Sequence, residues 1–111
     1  MDAAYAQVDL VVARAGASTI AELARCGTPS VLIPYPYAGA HQRANAQVVE
    51  AAGGGVMIEE GEADPVRVLT TLRRILVDKR LRDIMGLQMT GLDQPNAAER
   101  FMDAIMEIAV R

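Results

Sequence analysis

Two short runs hold most of the residues in this sequence that could do chemistry. Gly16, Ala17, Ser18 and Thr19 form a small-residue loop directly ahead of a predicted helix. A helix start leaves its first backbone N–H groups unpaired. With the positive end of the helix dipole, that makes a site for a phosphate-sized anion. Further along, His41, Gln42 and Asn45 fall in the first turn of a second helix, where spacings of three and four put them on one face. They are neutral hydrogen-bonding groups suited to hydroxyls and amides. Glu22 has two readings. Thr19 and Glu22 have the spacing of a capping box, in which Glu22 is the N3 residue that holds the helix start. Alternatively, its carboxylate is an acceptor-only group that suits a pair of vicinal hydroxyl donors.

These runs need a frame to position them. Residues 8–13 (VDLVVA), 30–33 (SVLI) and 56–58 (VMI) are short, apolar and β-branched between turn residues, and read as buried strands. Between them the capping pattern opens a helix from Thr19 to about Cys26, which Gly27 stops. A second helix runs from His41 to Ala52 with Ala44, Val48 and Val49 toward the core. Asp64 ahead of Pro65 starts a third, on which Val68, Leu69, Leu72, Ile75 and Leu76 recur at helical spacing. Asp78 caps a fourth, from Lys79 to about Leu87. Residues 88–95 read as irregular, and Asn96 with Glu99 opens a last helix over 97–110. Alternation of strand and helix predicts an α/β fold: a partial, Rossmann-like parallel sheet of about three strands with flanking helices. So small a sheet leaves an apolar edge exposed. The expectation is therefore that this is one partial domain of something larger, or that it associates through that edge.

Composition narrows the class. At 111 residues there is room for one small domain, burying roughly 65% of its unfolded surface. A net charge of −3 argues against a general nucleic-acid binder. One cysteine, Cys26, forbids an intrachain disulfide and suits a reducing cytoplasm. With one histidine and one cysteine, a His/Cys zinc site lacks ligands, and no Asp-x-Asp pair argues for a metal-bridged diphosphate. No apolar run approaches the ~20 residues of a membrane span, and no signal peptide opens the sequence. The methionines at 85, 89, 102 and 106 read as core filler. Arg14 either anchors the loop or faces the bound anion, and the anchor is the favoured reading.

Taken together, Arg14-Ala15-Gly16-Ala17-Ser18-Thr19, Glu22-Leu23, Gly27-Thr28-Pro29, Pro34-Tyr35-Pro36, His41-Gln42 with Asn45-Ala46, and Asn96-Ala97-Ala98-Glu99-Arg100 resemble a known pattern. It is that of the donor-binding part of the C-terminal domain of MurG-like family 28 glycosyltransferases, which have the GT-B fold. The resemblance covers almost the whole chain and departs at Ala15, where serine is common, and in the loop over 36–40.

The resemblance implies a UDP-N-acetylglucosamine-binding portion of an inverting N-acetylglucosaminyltransferase of peptidoglycan synthesis. No catalytic residue, metal ligand or cofactor is implied within this chain. Gly16, Ala17, Ser18 and Thr19 would face the diphosphate, Glu22 the ribose diol, and His41, Gln42 and Asn45 the sugar. The acceptor domain would lie in an absent N-terminal part or a partner chain, so the isolated chain is expected to be inactive. Two alternatives stay open: a donor-binding subunit that needs a partner chain, and a non-catalytic association domain that forms a homo-oligomer through its sheet edge. The expected location is cytoplasmic, with the full enzyme peripheral at the inner face of the plasma membrane and membrane contact only through the absent parts.

Overall fold

The computed structural model of the protein describes residues 8–37 and 41–93. Among these residues three strands alternate with four helices: β1 (Val11–Ala13), α1 (Ala17–Cys26), β2 (Ser30–Leu32), α2 (His41–Ala52), β3 (Gly55–Met57), α3 (Pro65–Leu76) and α4 (Lys79–Gly91). A short 3-10 turn, Glu60–Glu62, lies within the predicted acidic loop. The strands form one sheet in the order β1-β2-β3, all parallel, with Val12, Val31 and Val56 in register. This is the expected α/β architecture. The strands are shorter than predicted: Val8 and Asp9 precede β1 and are exposed, and Ile33 and Ile58 lie beyond the ends of β2 and β3.

Alternation along β2 sends neighbouring side chains to opposite faces of the sheet. Leu32 joins Ile20 and Leu23 of α1, Ala46 and Val49 of α2, and Met89 of α4. Val31 joins Ile58, Ile75 of α3 and Met85 of α4 on the other side. Helix α4 thus reaches both cores, through Met85 and Met89, and it continues to Gly91 instead of ending near Leu87. Burial of Met89 carries the helix through a stretch whose sequence reads as irregular.

Local signals fixed two helix starts as expected. The Asp64 side chain accepts from the Arg67 N–H at 2.9 Å, and that of Asp78 accepts from the Leu81 N–H at 3.0 Å. The capping box does not form. Helix α1 begins at Ala17 with Gly16 as its N-cap and no side-chain cap bond, so Thr19 and Glu22 lie inside the helix. Gly27 closes α1 in the left-handed conformation (φ 65°), as predicted. Residues 97–110, with Asn96, Glu99, Met102 and Met106, lie outside the described residues.

Candidate functional site

The site gathers at the carboxyl ends of the parallel strands, where the β1–α1 and β2–α2 loops meet. In an open α/β sheet this is where ligands bind. The Ile20 N–H donates to the Gly16 carbonyl at 3.0 Å, closing the first turn of α1. Ala17, Ser18 and Thr19 precede that bond, so their N–H groups have no intrahelical acceptor. Ala17 and Ser18 are exposed.

Among the described residues nothing requires glycine at position 16. Its φ is −69°, and of these residues a Cβ there would meet only Thr19 Oγ1 and Gln42 Nε2, each at 4.0 Å. A small open space therefore lies before the helix, with a hydroxyl and an amide on its walls.

The orientation of that amide is set by the backbone. Gln42 Oε1 accepts from the Ala15 N–H at 3.1 Å and the Tyr35 N–H at 2.9 Å. With the oxygen held by two donors, Nε2 is turned toward Gly16 and presents only N–H groups. Asn45 is turned inward: it is 5% exposed, and Nδ2 donates to the Ala15 carbonyl at 2.8 Å. Gln42 and Asn45 together hold both polar backbone groups of Ala15. His41, the first residue of α2, is exposed.

Glu22 lies on the same flank of α1 as Thr19, three residues on. It is partly buried, and its Oε2 has no hydrogen-bond partner among the described residues. A carboxylate oxygen removed from water without a donor is costly, and a ligand that supplies hydroxyls would satisfy it.

Arg14 braces the strand ends. Its guanidinium donates to the Ile33 carbonyl at 3.3 Å, pairs with both oxygens of Glu60, and lies 5.5 Å from the centre of the Tyr35 ring. The loops after all three strands are thereby joined. The hydrogen bond from Arg14 holds the Glu60 carboxyl below its ordinary value, and the same bond raises Arg14. Arg43 of α2 adds a second link, to Glu59 at 2.7 Å. Among the described residues no group of three or more His, Cys, Asp or Glu could hold a metal ion. No helix among them is long and apolar enough to cross a membrane.

The structure thus brings Gly16, Thr19 and Gln42 around one space, with Ala17, Ser18 and Glu22 on the adjoining helix. Sequence reasoning missed that Gln42 and Asn45 fasten the loop at Ala15, and no local signal could have shown it. The partners lie 27 and 30 residues apart.

Residues 1–104 match the model of the glycosyltransferase family 28 C-terminal domain. Among similar curated proteins is the UDP-N-acetylglucosamine--N-acetylmuramyl-(pentapeptide) pyrophosphoryl-undecaprenol N-acetylglucosamine transferase of Chlorobium luteolum. It is 41% identical over 98% of this chain and 30% of its own length. The transferase of the same name from Xanthomonas axonopodis pv. citri is 43% identical over 98% of this chain and 26% of its own. The crystal structure of Acinetobacter baumannii MurG superposes with a TM-score of 0.74 at 33% identity, over 95% of this chain and 30% of that one. The chain therefore spans about 30% of the length of these relatives. With the parallel sheet, the uncapped helix start and the family match in agreement, the chain belongs to the glycosyltransferase family 28 C-terminal domain family.

Proposed function

We propose that this chain is the donor-binding portion of a MurG-type transferase and holds UDP-N-acetylglucosamine at the carboxyl ends of its strands. The free N–H groups of Ala17, Ser18 and Thr19 meet the diphosphate in the open space at Gly16. The Gln42 amide and His41 offer hydrogen bonds to the sugar, and Asn45 acts on it indirectly by fixing the loop at Ala15. As the sugar transfers, the leaving nucleoside diphosphate gains negative charge, which the N-terminus of α1 stabilises. Transfer also needs an acceptor held beside the donor. That task falls to the part of the enzyme beyond this chain, so the chain alone transfers nothing.

Glu22 carries this reading, because its buried, unpartnered Oε2 has the chemistry to accept from a ribose diol. The test is Glu22→Gln in a chimera that joins this chain to the N-terminal part of a family 28 relative, read by UDP-N-acetylglucosamine calorimetry. Glu22 is not the N3 residue of α1, so the substitution removes no cap. The expected result is a loss of about 1–3 kcal/mol in donor binding with an unchanged or slightly raised melting temperature. Unchanged affinity would remove the ribose assignment.

A further inference from the structure

The two edges of the sheet end differently. Hydrogen bonds along the ladder fix which way each backbone group points. The Ser30 N–H donates to the Gly54 carbonyl at 3.4 Å, and the Ile58 N–H to the Leu32 carbonyl at 2.9 Å. Gly54, Val56 and Ile58 therefore turn their polar groups toward β2, and the alternation of a strand turns those of Gly55 and Met57 away from it. Gly55 is buried, which leaves half-buried Met57 as the outward amide within reach of a neighbour.

That amide is taken. Glu50, near the C-terminal end of α2, accepts from the Met57 N–H through Oε2 at 2.8 Å. The turn between them fixes the pairing. The Gly53 N–H donates to the Glu50 carbonyl at 3.0 Å and the Gly54 N–H to the Val49 carbonyl at 3.1 Å, so the helix end is held beside the start of the strand. On the other side of the sheet, the Val11 N–H donates to the Pro29 carbonyl at 3.1 Å and the Ile33 N–H to the Ala13 carbonyl at 2.9 Å. Val12 of β1 thus turns its N–H and carbonyl outward. No group among the described residues bonds to either, and the Val12 side chain is 44% exposed.

We propose that Glu50 is an edge stop: its carboxylate closes β3 to any further strand, so the sheet takes additional strands at β1 alone. A strand that added to β3 would have to offer a backbone carbonyl to the Met57 N–H. The carboxylate already holds that donor in a charge-assisted bond, stronger than the neutral bond that would replace it. Its negative charge also repels an incoming carbonyl oxygen, and a charged side chain on an edge is a means by which sheets avoid unwanted pairing. Association through the sheet edge, which the sequence suggests without choosing an edge, is thereby confined to β1. This proposal is independent of the donor-binding reading.

Amide exchange followed by NMR, beside sedimentation of the 111-residue chain, tests it. Glu50 is exposed, and circular dichroism checks that each variant keeps the fold. Glu50→Ala removes the acceptor, and the Met57 amide should exchange roughly tenfold faster. Self-association should then begin at a roughly fivefold lower concentration. Glu50→Gln keeps an acceptor and should keep most of the protection at Met57. Adding Met57→Pro to Glu50→Ala removes the outward N–H, at an edge position that proline tolerates, and should return association to that of the parent chain. Association through the open β1 edge is common to all variants and serves as the baseline. Unchanged exchange at Met57, or unchanged association, in Glu50→Ala would overturn the proposal. So would association that stays above the baseline in the double variant, which would place the new contact elsewhere than β3.

Discussion

The Asn45 amide donates to the Ala15 carbonyl at 2.8 Å, so helix α2 grips the loop that precedes α1 by its backbone. With Gln42 Oε1 on the Ala15 N–H, that residue has neither polar group left for water. Asn45→Ala leaves a buried carbonyl unsatisfied and should cost about 1–3 kcal/mol in stability. Asn45→Asp sets a carboxylate against the carbonyl and should cost more. Urea unfolding measures both. An unchanged midpoint beside weakened donor binding would instead make Asn45 a direct sugar contact.

Gly16 separates ligand space from structural need. Among the described residues a methyl group there meets no atom closer than 4.0 Å, and φ is ordinary for an L residue. Gly16 is also the N-cap of α1, where alanine is disfavoured, and this opposes the gain of about 0.4–1 kcal/mol through the unfolded chain; Gly16→Ala should leave the melting temperature nearly unchanged. The same methyl would occupy the space assigned to the diphosphate. Donor affinity in the chimera should fall while the fold holds; affinity that stays constant would empty that space of its proposed role.

Gln42 offers a substitution that divides its two ends. Gln42→Glu keeps an oxygen for the Ala15 and Tyr35 N–H groups and replaces Nε2, a donor, with a second acceptor. The loop should hold and sugar binding should weaken by about 1–3 kcal/mol. Gln42→Met should lose both the loop anchor and the donor. Melting curves beside calorimetry distinguish the two variants, and equal destabilisation by both would refute the division.

The Arg14–Glu60 pair predicts an acid-side dependence. The Glu60 carboxyl is lower in the folded chain than its ordinary value of 4.5. Its contribution is therefore present above that unfolded value and is lost as pH falls through the lower, folded one. The side chains are 49% and 43% exposed, so the effect is small and salt should screen it. Glu60→Gln should flatten this part of the stability curve between neutral pH and the carboxylate range. A slope identical to that of the parent chain would show that the pair contributes nothing.

What could be read from the sequence depended on how far each signal reaches. Asp64 and Asp78 announce helix starts because each cap acts three residues away, and β-branched runs announce strands by residue type, although only β2 is buried throughout; β1 and β3, at the edges, are not. Thr19 and Glu22 misled because a glycine N-cap, with no side chain of its own, starts α1 two residues earlier. The end of α4 was illegible because Met89, in a core built from other elements, decides it. At the site, residue types indicated the class of chemistry. Their division of labour was not legible, because Gln42 and Asn45 both bind the backbone of Ala15, 27 and 30 residues away, and backbone groups are shared by every residue type.

The glycine at position 86, inside α4, has one further consequence. A Cβ on it would stand 2.8 Å from the Gly27 carbonyl oxygen, and one on Gly27 would stand 2.7 Å from Thr90 Oγ1. The C-terminal end of α1 and the middle of α4 therefore meet backbone to backbone, although 59 residues separate the two glycines in the chain. A contact of such high order must close a long loop before it forms. Helix α1 rests on the sheet and α2 as well as on α4, so a chain cut short before α4 should keep the binding residues in sequence while holding the start of α1 less firmly in place.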